Sequence, residues 1–271
     1  MRTVFNFLLA MAIAYVATAA LVFLFQSRLV YFPQVEREFH TTPKAAGLVH
    51  EDVALKTSDG VSLHAWWISA PEAKGAVLLF HGNAGNISHR IGYATMFVRL
   101  GYSVLLVDYR GYGKSGGVPH EEGTYLDAQA AWDHLAATRG FPARDIVIFG
   151  ESLGGGVASW LAARHTPRAL VLASTFKSVP DLGAEVYWWL PVRLLARIRY
   201  DNLSRITAIA VPVLIAHSKE DEIIPYAHGR ALFEAARQPK SFLILSGGHN
   251  DGFIYAREEW VAALRSFLTS P

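Results

Sequence analysis

The sequence predicts an α/β protein: a mostly parallel central sheet flanked by helices, with a short helical lid and an N-terminal transmembrane helix. Three observations lead there. Short apolar runs recur from position 61 onward without the in–out alternation of a half-exposed strand, as strands covered on both faces require. Longer amphipathic stretches separate them, and strand–helix alternation of this kind builds parallel sheets with right-handed crossovers. Residues 4–25 carry no charge at all.

Composition agrees and narrows the function classes. A chain of 271 residues fits one folded domain plus an appendage. Hydrophobic residues make up 52% and mean hydropathy is +0.22, which excludes a disordered chain. Twenty-five basic against 23 acidic side chains leave a net charge of +2. That balance offers no basic stripe for phosphate neutralisation, so no nucleic-acid partner is expected. Cysteine is absent, which removes disulfide scaffolds, thiolate metal sites and cysteine nucleophiles.

Residues 1–27 read as a membrane anchor. The 22 residues of segment 4–25 would reach ~33 Å as a helix, enough to cross a ~30 Å hydrocarbon core. A cleaved signal peptide is the rival, with Ala17-Thr18-Ala19 as its cleavage site, but apolar residues continue past that point. A buried core helix would show a polar face, and none is visible. Tyr31 and Phe32 follow Arg28 as interfacial anchors follow a span. Arg2 and the terminal amine before the span, against Arg28 after it, put the rest of the chain on the non-cytoplasmic (periplasmic or lumenal) side.

Residues 28–50, with Pro33, Pro43 and mixed charges, read as a connector to a domain spanning 51–271. Its first strand is expected over 61–69, entered through a Ser-Asp-Gly turn. Further strands fall at 76–80, 103–108, 145–150, 169–174, 211–217 and 241–245, and helices at 88–100, 124–138, 153–165, 226–236 and 255–268. Function in such sheets gathers at the carboxyl ends of the strands.

The loops there carry the chemistry. After the run at 145–150 stands Gly150-Glu151-Ser152-Leu153-Gly154. A sharp strand-to-helix turn needs glycine at its flanks, presents the serine hydroxyl, and leaves helix N-terminal amides for a developing oxyanion. After 76–80 stands the loop His81-Gly82-Asn83-Ala84-Gly85-Asn86, whose glycines permit close backbone approach. The amides of Asn83 and Leu153 are the candidate oxyanion donors, and His81 is read as structural. A serine nucleophile needs a base, and the base a carboxylate. His249, between Gly248 and the last helix, is the candidate base. Asp221 is the candidate acid, with Glu220 and Glu222 as alternatives; His217 lies too close to its own strand to be the base. No HExxH pattern exists, and neither metal nor cofactor is called for.

Together HGNAGN (81–86), DYRGYGKSGG (108–117), GESLGGG (150–156), HSKEDEIIP (217–225) and GGHND (247–251) resemble the α/β-hydrolase superfamily. The likeness is to its membrane-anchored abhydrolase-domain branch, often labelled serine-aminopeptidase-like. It extends to the apolar N-terminus, to LVYFP at 29–33 and to T-x-D-G-x-x-L-x-x-W at 57–66, covering nearly the whole chain. The resemblance implies an α/β-hydrolase fold, Ser152, Asp221 and His249 as a catalytic triad, Asn83 and Leu153 as oxyanion donors, and a loop braced by Asp108 and Arg110. It implies esterase, lipase or deacylase chemistry on an acyl ester or thioester.

About 36 residues separate the strands at 169–174 and 211–217. Insertions here form a lid in this fold, expected over about 176–208. Tyr187, Trp188, Trp189 and Leu190 are the candidate substrate-binding residues: either they line an apolar acyl pocket or the lid dips toward a bilayer, unless they merely pack on the sheet. An acyltransferase, an exopeptidase using Glu151 or Asp181 to hold an amine, and a non-catalytic tethered module are the competing readings.

Overall fold

The computed structural model describes residues 1–269. A long helix, α1 (Arg2–Val30), leads into the domain. The domain strands are β1 (His50–Lys56), β2 (Ser62–Ile68), β3 (Ala76–Phe80), β4 (Ser103–Val107), β5 (Ile146–Glu151), β6 (Ala169–Ala173), β7 (Val213–Ser218) and β8 (Lys240–Leu245). They form one sheet in the order β1-β2-β4-β3-β5-β6-β7-β8. β1–β2 and β2–β4 pair antiparallel, and every pairing beyond them is parallel.

β3, β4, β5, β6 and β7 are buried along their whole length. Helices cover them from both sides: α2 (Ile91–Arg99), α3 (Glu121–Asp133), α4 (Leu153–Ala162), α8 (Tyr226–Ala235) and α9 (Glu258–Thr269). The core is accordingly two apolar layers, one per sheet face. Leu78, Leu105 and Ile148 point into one, and Val77, Val104 and Phe149 into the other. Strand–helix alternation thus gives the α/β-hydrolase architecture expected, with the antiparallel strands at one edge.

That edge corrects the sequence reading. β1 (His50–Lys56) precedes the first strand expected at 61–69, overlapping the expected connector only at His50, and only Val53 and Leu55 of it face the core. The connector itself is no loose linker. Asn86 donates through Nδ2 to the carbonyls of Glu36 (2.7 Å), Arg37 (3.0 Å) and Glu38 (3.1 Å). Tyr31 is not an interfacial anchor either: it is buried in the core, its hydroxyl 3.0 Å from that of Tyr200. The reason is that α1 runs five residues beyond the apolar segment, carrying Tyr31 onto the domain.

The insertion after β6 is helical: α5 (Val179–Val186), α6 (Val192–Leu195) and α7 (Asn202–Ile206). Ser178 caps α5, accepting from the amide of Asp181 at 3.1 Å, with Pro180 in the first turn where its missing N–H costs nothing. Its far end is pinned to α3, where Glu121 accepts from the amides of Arg199 (2.6 Å) and Tyr200 (2.7 Å). Between those fixed ends, the stretch from Val186 to Leu195 leans on α1.

Candidate active site

Four loops at the carboxyl ends of β3, β5, β7 and β8 meet at one point. β5 leads directly into Ser152, whose backbone sits at φ 52°, ψ −119°. Positive φ in a residue bearing a Cβ costs ~1–3 kcal/mol and persists only where the surroundings over-determine it. Three hydrogen bonds do so. The Ser152 amide donates to the Ala173 carbonyl (3.0 Å), and its own carbonyl accepts from the Gly155 amide (3.0 Å) and the Thr175 hydroxyl (2.7 Å). Gly154 is required for closeness: a Cβ there would run into the carbonyls of Phe80 and His81.

Ser152 Oγ lies 3.1 Å from His249 Nε2, and His249 Nδ1 lies 2.8 Å from Asp221 Oδ2. Asp221 Oδ1 accepts from the amides of Ile223 (3.0 Å) and Ile224 (2.7 Å). Burial opposes the Asp221 charge, but hydrogen bonds from His217, His249 and the Ile224 amide outweigh it and hold the carboxyl well below the usual carboxylate range. The alternatives for the acid take other posts. Glu220 accepts from the Gly247 amide (2.8 Å) and Glu222 from the His249 amide (3.0 Å), so both hold the histidine loop rather than the imidazole.

His217, set aside as a base, nonetheless belongs to this network. It is fully buried; its Nε2 donates to the Ile224 carbonyl (2.8 Å) and lies 3.3 Å from Asp221 Oδ2. Sequence reasoning missed this contact, although the i, i+4 spacing of His217 and Asp221 was there to be read.

Leu153 opens α4, so its amide has no partner within the helix. The Asn83 amide likewise has none among the described residues. Other groups of Asn83 hold it in place. Its carbonyl accepts from the Phe32 amide (3.1 Å) and the Tyr112 hydroxyl (2.9 Å), and its side chain donates to the Val30 carbonyl (3.2 Å). The loop that carries the Asn83 amide is therefore tied to the end of α1. Asp108 braces the same loop through the Ile87 amide (2.9 Å), and Arg110 grips Asp127 (2.9 Å) and Asp59 (2.7 Å).

His81 is buried beneath, Nδ1 against the Gly82 carbonyl at 2.8 Å, with Asp108 Oδ1 3.6 Å from Nε2. Burial, reinforced by the positive Arg90, pushes its pKa down to about 3. A histidine neutral when folded but free to protonate when unfolded stabilises the fold fully above the unfolded value. That contribution is lost as pH falls from ~6.5 toward the folded value, by up to ~1.4 kcal/mol per pH unit. His81→Asn is expected to flatten the fall in urea midpoint between pH 7 and pH 5, and equal slopes in the two proteins would contradict this assignment.

Above Ser152 lies a cavity of about 570 Å³. Its walls are mainly apolar: Phe176, Val179, Leu182, Val186, Val192 and Leu195 from the lid side, and Ile223 and Ile224 from the acid loop. Of the four lid residues expected to bind substrate, only Tyr187 lines it. Leu190 is buried at 5% exposure away from the cavity, Trp189 packs edge-on against Tyr15, and Trp188 is 81% exposed. A greasy run with no clear period left the facing direction unread. Also unforeseen is the opposite wall, which is Val22, Gln26, Leu29 and Val30 of α1.

Glu151 and Arg90 form a bidentate pair beside Ser152. Nη2 donates to Oε1 at 2.9 Å, and Nε meets Oε2 at 2.9 Å as an ion pair off hydrogen-bond geometry. Asp181 is likewise occupied, by Arg193 (3.0 Å) and Ser178 (2.8 Å).

Comparison with known proteins places this geometry in a lineage. Residues 71–200 match the profile of the serine aminopeptidase, S33, family. An uncharacterised protein of Mycobacterium tuberculosis is 39% identical over 266 residues, covering 95% of this chain and 92% of that one. The α/β-hydrolase domain-containing protein WAV2 of Arabidopsis thaliana is 34% identical, over 93% of this chain and 90% of its own. An uncharacterised membrane protein of Saccharomyces cerevisiae is 33% identical, over 93% and 91% respectively. Among solved structures, an esterase of Pyrococcus furiosus superposes with a TM-score of 0.71 at 22% identity, covering 84% of this chain and 93% of that one; this likeness is one of fold.

Proposed function

Because the chain belongs to the α/β-hydrolase domain-containing family, we propose that it is a membrane-anchored serine hydrolase that cleaves carboxylic ester or thioester bonds of apolar acyl substrates. The observation that carries this reading is the unbroken relay from Asp221 through His249 to Ser152, which opens onto an apolar cavity beside two unpartnered amides. In the proposed mechanism Ser152 Oγ attacks the acyl carbonyl as His249 Nε2 takes its proton. Asp221 holds the imidazole tautomer and stabilises the imidazolium, while the Asn83 and Leu153 amides receive the oxyanion. His249 then protonates the leaving group, and water, activated by the same imidazole, frees the acyl group from Ser152.

The exopeptidase alternative needs a carboxylate free to bind an amine. Glu151 and Asp181, the two acids considered for that role, are both paired with arginines, which weighs against it. Anchoring through α1 is supported by its length of 29 residues, a mean hydropathy of 2.5 over its apolar window and the exposure of that window. The membrane-protein name of the yeast relative points the same way. In the proposed topology the hydrolase domain lies on the non-cytoplasmic side, as the charges flanking the span favour.

The test is labelling of the purified, detergent-solubilised protein with a fluorophosphonate probe, followed by a panel of oxygen esters and thioesters of graded acyl length. Wild-type protein is expected to label and the His249→Ala variant to label far more slowly. A folded wild-type protein that takes no label would overturn the reading in favour of a tethered binding module.

A further inference from the structure

Helix α1 is more than a tether. Val22, Gln26 and Leu29 recur at the three- and four-residue spacing that defines one helix face, and that face is a wall of the cavity over Ser152. Gln26 locks the face to the lid. It is only 8% exposed, and its Oε1 accepts from the amides of Arg197 (2.6 Å) and Ile198 (3.1 Å). The helix kinks at Phe25, where φ and ψ leave the helical region. The guanidinium of Arg197 reaches into that kink and donates to the Phe23 carbonyl at 2.9 Å, the kind of side-chain insertion that bends helices.

The lid also climbs the helix. The Tyr15 hydroxyl donates to the Trp189 carbonyl at 3.1 Å. Tyr15 lies ten residues before Phe25, ~15 Å along the axis and inside the apolar segment proposed to span the bilayer. A hydroxyl there needs a protein partner, because lipid offers none, and the lid supplies it. Beside this contact the lid turns outward Trp188 (81% exposed) and Leu194 (86% exposed). Apolar side chains so bare, next to a span of 29 residues, match a hydrocarbon surrounding and not water.

We propose that the lid is immersed in the bilayer against α1 and that the acyl chain of a membrane-resident ester reaches Ser152 sideways from the lipid, with Val22 and Leu29 setting the acyl length the cavity accepts. This rests on the reading of Ser152 as the nucleophile. The ligand is a long acyl chain already dissolved in the bilayer; a membrane lipid and an acylated protein both present that chemistry.

The test uses the full chain in phosphatidylcholine vesicles, with a fluorogenic C16 ester dissolved in the membrane and a C4 ester supplied in water. Val22→Trp and Leu29→Trp, which narrow the cavity, are expected to lower the C16-to-C4 rate ratio by about tenfold or more. Leu21→Trp, one position around the helix and outside the cavity wall, is expected to leave that ratio at the wild-type value. Equal ratios in all three variants would overturn the proposal. The C16 ester is further expected to turn over faster in vesicles holding the enzyme than when supplied in separate vesicles, and equal rates would overturn the lateral route. Fluorophosphonate labelling of every variant separates this failure from that of the nucleophile assignment: labelled protein with unchanged selectivity sinks only the present inference. A diacyl lipid and an S-acylated peptide, presented in the same bilayer, then distinguish the two carriers.

Discussion

Ser152→Ala is expected to lower kcat on a short-chain ester by roughly 10⁵-fold or more, since loss of a triad nucleophile leaves only the oxyanion donors and binding to act. Thermal stability should barely change, because alanine keeps the Cβ and with it the cost of φ 52° at this turn. Ser152→Gly is the informative companion. It is equally inactive, yet it relieves a backbone strain of ~1–3 kcal/mol against an added unfolded-chain entropy of ~0.4–1 kcal/mol. The glycine variant should therefore melt above the alanine variant. Paired kcat and denaturation measurements check both parts. Turnover surviving in Ser152→Ala would place the nucleophile elsewhere, and a glycine variant melting below the alanine one would show that the hydrogen bonds to Ala173, Gly155 and Thr175 hold the turn without strain.

Much of this site could be read in the chain because its parts are short and local. The elbow at 150–154 needs glycine where Phe80 and His81 crowd Gly154, and such a constraint leaves a mark in sequence. The apolar runs of β3 to β7 were legible for a similar reason: burial on both faces removes polar residues altogether. β1 escaped because an edge strand with only Val53 and Leu55 inward has two apolar positions to betray it. The lid was found as an insertion, but the direction of each aromatic depends on what it packs against. Trp189 meets Tyr15, 174 residues away, and no local pattern encodes that meeting. Gln26, an amide just beyond the apolar run, was a visible sign that the end of α1 packs on the domain.

Asp221→Asn is expected to cost about 10⁴-fold in kcat, the loss seen when a triad acid becomes an amide that fixes the wrong imidazole tautomer. The geometry here says how. The Ile223 and Ile224 amides both donate to Oδ1, so an asparagine must put its own oxygen there. Its NH₂ then faces His249 Nδ1, which has to accept, and the imidazole proton moves to Nε2. An Nε2–H cannot take the proton of Ser152. The same NH₂ also confronts His217 Nε2–H, 3.3 Å from that position in the wild type, so a modest stability loss should accompany the inactivation. Glu222→Gln and Glu220→Gln provide the contrast. Each accepts from a loop amide, an oxygen that glutamine retains, and each should stay within about tenfold of wild type. The charge on Asp221 adds a pH statement. A carboxyl whose folded value is depressed contributes stability above its unfolded value, and that contribution disappears as pH falls through the folded one. With Asp221 held well below the ordinary range, its share of acid unfolding comes in below ~pH 4, and Asp221→Asn should remove that share. Urea midpoints of the two proteins at pH 7 and pH 3.5 test it, and parallel behaviour would remove Asp221 from the charged relay.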